Sequence, residues 1–227
     1  MTLLMQKELD RLKTQLLTLC AVVEEGVDQA IQALDTFDAP LAKQVIGRDE
    51  EINHMEVELE EECLKVLALH QPVAIDLRYI VAVLKINNDL ERIGDLAANI
   101  ADQSLALAGG TRIAPPYDCA EMARKARNML KMSLDSLVRL DVQLARKVLR
   151  LDDDVDRQHK ENFTLIKEQI RRHPERIDPL SHYLTISRHL ERIADLATNI
   201  AEDVYYMIEG EIVRHTNTWC TWAPDGE

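Results

Sequence analysis

Aromatic residues are scarce in this chain, at 4%, and glycine occurs only seven times in 227 residues. What remains is rich in Leu, Ala, Glu, Arg and Lys, the composition of long helices. Positive charge is also short: 27 Lys and Arg face 40 Asp and Glu, a net charge of −13. Nucleic acid needs a basic face, so that partner class is excluded, and adhesion to an anionic membrane surface is disfavoured. The balance fits a cation ligand or a basic partner surface. No apolar run approaches the ~20 residues that span a bilayer. Met1 to Leu9 lacks the charged start and apolar core of a signal peptide. The four cysteines, Cys20, Cys63, Cys119 and Cys220, form no C-x-x-C pair. That pattern argues against a disulfide framework or a thiolate zinc site and for reduced thiols in the cytoplasm. No Gly-rich loop or Ser, Cys or His constellation marks nucleotide binding or nucleophilic catalysis.

The chain does have a sharp internal repeat. Glu91-Arg92-Ile93-Gly94-Asp95-Leu96-Ala97-Ala98-Asn99-Ile100-Ala101 returns one hundred positions later as Glu191-Arg192-Ile193-Ala194-Asp195-Leu196-Ala197-Thr198-Asn199-Ile200-Ala201. Nine of these eleven residues are identical. On a helix, Ile93, Leu96 and Ile100 share one face. Glu91, Asp95 and Asp102 share the other, with Gly94 and Ala98 beside them. The second copy presents Glu191, Asp195 and Glu202 with Ala194 and Thr198. Carboxylates one helical turn apart, flanked by small residues, suit a hard or borderline cation.

The rest of the chain repeats too. Apolar spacing predicts a first helix over about Thr2 to Asp35. Asp38 with Pro40 opens a second, which ends at His70-Gln71-Pro72. Asp76 is the expected cap of a third, ending near Leu107 before Gly109-Gly110. From Asp118 the plan recurs. Asp141 to Val148 match Asp38 to Val45, and Asp152 to Asp156 match Asp49 to Asn53, both at an offset of 103. Asp178-Pro179 is the expected start of the sixth helix. Short turns force antiparallel neighbours. The expected fold is therefore all-α, two antiparallel three-helix bundles in tandem about a pseudo-twofold axis: residues 1–112, residues 113–210, and an aperiodic tail at 211–227 that is expected to be irregular or disordered.

The second helices carry matching acids one turn apart, Asp49 with Asn53 and Asp152 with Asp156. Antiparallel packing lets these face the repeated motifs. Two candidate metal sites follow: Asp49, Asn53, Glu91 and Asp95 in one unit, and Asp152, Asp156, Glu191 and Asp195 in the other. Asn99, Asn199, Asp102 and Glu202 are secondary candidates, and His189 is the histidine placed to add a ligand. Asn53 in place of Asp156 weakens the first site by one charge.

These features resemble the PhoU family. The resemblance rests on both Glu-Arg-Ile-Gly/Ala-Asp copies, the pairs opening at Asp49 and Asp152, the step Asp76-Leu77-Arg78 and the duplicated three-helix plan. It implies a non-catalytic cytoplasmic homodimer that binds iron or zinc through the acidic motifs. It further implies a negative regulator of phosphate uptake that links a phosphate ABC transporter to a membrane sensor histidine kinase and meets the membrane only through those partners. The second unit departs from the pattern, with Pro179-Leu180 where the first has Leu77-Arg78. Two other readings stay open. One is a metal-free adaptor whose acidic stripes dock a basic partner. The other is a di-iron carboxylate protein, for which Glu51-x-x-His54 and Asp156-x-x-His159 have the spacing but not equivalent places in the repeat.

Overall fold

The computed structural model describes residues 3–213. Six helices follow in order: α1 (Leu3–Thr36), α2 (Ala39–His70), α3 (Ala74–Gly109), α4 (Cys119–Arg139), α5 (Val142–Arg172) and α6 (Ile177–Glu209). Among the described residues there is no strand. Helices α1 to α3 pack on one another, as do α4 to α6, giving the two expected three-helix units. The units join mainly through α3 against α6, the helices that carry the motif. Lys85 in the first half of α3 pairs with Asp203 near the end of α6 at 3.2 Å. His182 near the start of α6 meets Gln103 near the end of α3 at 2.7 Å. The two motif helices are therefore antiparallel and cross the pseudo-twofold axis near Asp95 and Asp195.

The turns repeat with the helices. Phe37 and Leu140, 103 positions apart, both adopt a left-handed backbone, at φ 54° and 53°. Such a conformation costs a non-glycine residue about 1–2 kcal/mol, and the same solution appears in both units. Each is followed by a capping aspartate. Asp38 Oδ1 accepts from the Leu41 N–H at 3.0 Å, and Asp141 Oδ1 from those of Gln143 and Leu144 at 2.9 and 3.0 Å.

Two expected caps are not caps. Val73 stands at the N-cap of α3 without a side-chain bond, and Asp76 lies inside the first turn. A 3-10 turn, Pro174–Arg176, runs straight into α6, so Asp178 also lies inside the helix. Both acids still face the positive end of a helix dipole, which favours them there without a capping bond. Helix α4 has 21 residues against 34 in α1, shorter than the duplication implies.

Ile93, Ile100, Ile193 and Ile200 are fully buried, and Leu96 and Leu196 nearly so. Cys20, Cys63 and Cys119 are free and buried. Burial pushes the thiols of Cys20 and Cys63 up to about 12, so both act as apolar filler. No described helix is long and apolar enough to cross a membrane. Residues 210–213 lie outside the helix, and the part of the tail from 214 onward, with Cys220, lies outside the described residues.

Candidate metal centres

In the second unit α5 and α6 lie side by side and their acids meet. Asp156, Glu191 and Asp195 each offer a carboxylate oxygen within 4.8 Å of the others. Asp152 stands one turn before Asp156. Burial, then the charges of Asp195 and Asp156, push its carboxyl up to about 6, while a hydrogen bond with Thr198 opposes this. The Thr198 hydroxyl lies 3.3 Å from Asp152 Oδ1. Burial and then Glu191 and Asp156 push Asp195 to about 6 as well. Glu191 is raised by burial and by Asp156, with Arg188 and Arg192 opposing. Desolvated carboxylates crowded together repel, and a multivalent cation with oxygen preference removes that repulsion. The donor set is all oxygen, so it suits hard cations and iron better than a soft metal.

The first unit is looser. Glu91 is raised by burial and then by Asp95, Glu56 and Asp49. Asp95 is raised by burial and then by Asp49. Asp49 Oδ1 is buried with no donor on it, and the Asp49 and Asp95 carboxyls lie close enough that a shared proton holds Asp95 up. Asn53 is exposed and turns its amide to Asp49 Oδ2 at 3.4 Å. Among the described residues, only the second unit brings three acids within 4.8 Å of one another.

Several expected details differ. Gly94 does not open an approach to a cation. A Cβ there would lie 2.9 Å from Ile52 Cδ1, so the missing side chain admits Ile52 from α2. Ala194 is likewise fully buried. Asn99 and Asn199 lie in a cleft of about 280 Å³ between α3 and α6, with Arg92, Arg192, Asp95 and Asp195. They face the other unit's motif helix. Asp102 is exposed and accepts from the Gln103 amide at 3.3 Å, and Glu202 is buried; neither belongs to the acidic group. Burial, with Arg192 and Arg188 nearby, lowers the pKa of His189; its Nδ1 is buried without a hydrogen-bond partner, and it stands outside the group of Asp156, Glu191 and Asp195. His54 is exposed beside Glu58.

One polar cluster was not legible in the motifs. His159 Nδ1 lies 3.0 Å from Ser187 Oγ, and the Asn162 amide donates to the same oxygen at 3.1 Å. The equivalent places in the first unit hold Glu56 and Asn87, where the Asn87 amide donates to the Glu56 carbonyl at 2.8 Å. The signal was the repeat offset itself: polar residues recur at these two positions although their types change.

Comparison with known proteins adds a family. The PhoU domain pattern matches residues 16–104 and again residues 119–204. A phosphate-specific transport system accessory protein PhoU homolog of Aquifex aeolicus is 38% identical over 209 residues, 92% of this chain and 95% of that protein. The crystal structure of PhoU from Pseudomonas aeruginosa superimposes with a TM-score of 0.88 at 35% identity, covering 91% of this chain and 99% of that one. The phosphate transport system regulatory protein PhoU from Streptococcus pneumoniae gives 0.81 at 30% identity, covering 92% and 99%.

Proposed function

Because this chain belongs to the PhoU family, we propose that it is the accessory regulator of a phosphate-specific transport system. In this reading it is a cytoplasmic, non-enzymatic negative regulator, acting as a homodimer. It couples a phosphate ABC transporter to a sensor histidine kinase and damps the starvation response when phosphate is plentiful. The observation that carries the reading is the match of both repeats to the PhoU domain, with relatives named as accessory proteins over nearly their whole length. With no described helix able to cross a bilayer, the protein reaches the membrane through its partners. The test is a deletion strain grown in rich phosphate. Phosphate-starvation genes should stay switched on; normal repression would overturn the assignment.

The same reading gives each unit a cation, iron, zinc or manganese, between its second and third helices. It rests on the meeting of Asp156, Glu191 and Asp195 and on the unpartnered Asp49 oxygen. Asp152, Asp156, Glu191 and Asp195 would hold the ion in the second unit, and Asp49, Glu91 and Asp95 with Asn53 in the first. If gently purified protein is metal-free and its melting temperature ignores added metal, the stripes are docking surfaces for a basic partner instead.

A further inference from the structure

The acidic sites account for the Glu and Asp of the repeated motif, and the core accounts for its Ile and Leu. Arg92, Asn99, Arg192 and Asn199 are repeated just as strictly and belong to neither. The structure gathers all four in the cleft of about 280 Å³ between α3 and α6, with Asp95 and Asp195 beside them. Both arginines are exposed. Among the described residues no salt bridge or side-chain hydrogen bond engages either guanidinium. In a chain of net charge −13, two neighbouring guanidiniums without a carboxylate partner are a surplus that packing does not explain.

The register of the two helices sets donors against acceptors. The contacts of Lys85 with Asp203 and of Gln103 with His182 put Arg92 level with Asp195, and Arg192 level with Asp95. Each guanidinium therefore stands across the cleft from a carboxylate of the other unit, yet neither pair closes into an ion pair. Closure would be the ordinary outcome, because it gains charge-assisted hydrogen bonds. The carboxylates are drawn to their own units instead: Asp195 has Asp156 and Glu191 within 4.8 Å, and Asp95 shares a hydrogen bond with Asp49. The cleft thus offers strong donors on one side of each pair and strong acceptors on the other. A group that accepts from the first and donates to the second would satisfy both.

We propose that this cleft binds inorganic phosphate and selects it over sulfate. The two anions share size and tetrahedral shape, so guanidiniums and amides alone would hold either. They differ in a proton: near neutral pH phosphate still carries an O–H, and sulfate carries none. Phosphate can accept from Arg92 and Arg192 and donate to Asp95 or Asp195. Sulfate sets a bare oxygen against the same carboxylate, a like-charge contact that works against it. The aspartates that would spoil a general anion site are thus what discriminates, since only a ligand with a proton satisfies them. Asn99 and Asn199, one turn beyond each aspartate, add amide donors to the cleft. This gives the proposed regulator a ligand, and the two fail separately: binding is read on purified protein, repression on a deletion strain.

Equilibrium dialysis of labelled inorganic phosphate against the full chain tests this. The protein is first treated with a chelator, so that phosphate held by a bound metal does not count. Slightly above neutral pH, saturable binding is expected, with sulfate competing at least about tenfold more weakly. That selectivity needs no variant and stands as a test by itself. Arg92→Gln and Arg192→Gln should each weaken phosphate at least about tenfold, the loss of one charge-assisted hydrogen bond. Asp95→Asn with Asp195→Asn should let sulfate compete as well as phosphate, because the new amides donate where the carboxylates only accept. Circular dichroism checks that each variant keeps its helix content. Absence of saturable phosphate binding overturns the proposal, as does binding that survives either arginine change. Equal competition by sulfate in the parent overturns it too, and so does selectivity that outlasts the aspartate changes.

Discussion

The two units solve one design with different side chains, and the second is the more acidic and the more enclosed at its site. Where the first has Asn53, exposed, the second has Asp156, half-buried and joined to Glu191 and Asp195. Where the first has Ala98, the second has Thr198 with its hydroxyl on Asp152. The backbone spacing of acids is the same, so the difference lies in the neighbours. Duplication has kept the scaffold and let the charge density at its two sites diverge.

The largest expected effect tests that divergence with metal. Glu191→Gln with Asp195→Asn keeps size and removes two charges from the second site. An ion at a hundred times its dissociation constant stabilises the fold by about 2.7 kcal/mol. The double variant should lose the larger share of the rise in melting temperature with added iron, zinc or manganese. The matching pair Glu91→Gln with Asp95→Asn should lose the smaller share. Equal losses would show that Asp156 gives the second site no advantage.

A smaller effect appears with the metal removed by a chelator. Asp152 and Asp195 sit at about 6 instead of 3.8. A carboxyl raised on folding holds its proton more tightly folded than unfolded. Its contribution to stability is therefore present below about pH 4, falls as pH rises to about 6, and is lost above. Asp152→Asn removes the penalty. Relative to the parent it should gain about 1 kcal/mol between pH 4 and 7, a figure reduced for solvent screening at a partly exposed site. Asp95 is exposed, so Asp95→Asn should gain less. Urea denaturation across that range decides it, and a gain that does not grow with pH refutes the crowding of the second site.

Packing offers a third comparison. Ile52 and Val155 are equivalent, as are Gly94 and Ala194. The first unit combines the larger branched residue with glycine; the second combines the smaller with alanine. Gly94→Ala alone puts a Cβ 2.9 Å from Ile52 Cδ1 and 3.1 Å from Cγ2. Overpacking of this kind offsets the roughly 1 kcal/mol of helix propensity gained. Adding Ile52→Val copies the second unit's solution. The double-mutant cycle should show favourable coupling of about 1 kcal/mol, within the range for residues in contact. Additive effects would mean the two pairs are not alternative fillings of one space.

Much of this architecture was legible because helical periodicity and a repeat constrain each other. Asp38 and Asp141 announced their caps, and the buried isoleucines of the motif followed from a 3.6-residue period. The meeting of Asp156 with Glu191 and Asp195 follows from spacing because antiparallel neighbours leave few registers. Contacts set by a second helix were harder to read. Small size at Gly94 is ambiguous between room for a ligand and room for Ile52, and only the α2 register decides. Asn99 and Asn199 share with Asp95 and Asp195 the cleft between α3 and α6, a placement that the crossing of the two helices sets and that is not written in either helix alone. Asp76 and Asp178 fit a cap by type, but the backbone before them already curls.

The smallest difference between the units is one hydroxyl. Thr198 also lies 3.0 Å from the Ala194 carbonyl one turn back, so its single proton is shared between that oxygen and Asp152. The bond to the helix carbonyl is available to any threonine on a helix; the contact with Asp152 exists because α5 approaches here. Donation to the carboxylate favours its charged form, which is why it opposes the rise of the Asp152 pKa. Thr198→Ala gives the second unit the residue of the first, Ala98. In metal-free protein the change should destabilise by about 0.5–1 kcal/mol at neutral pH. It should vanish near pH 4, where Asp152 is protonated and no longer needs a donor. Ala98→Thr in the first unit, facing the equivalent Asp49, should move stability the other way by a similar amount if the spacing of α2 and α3 matches that of α5 and α6. A loss at Thr198 that is the same at both pH values would assign the hydroxyl to the helix carbonyl alone.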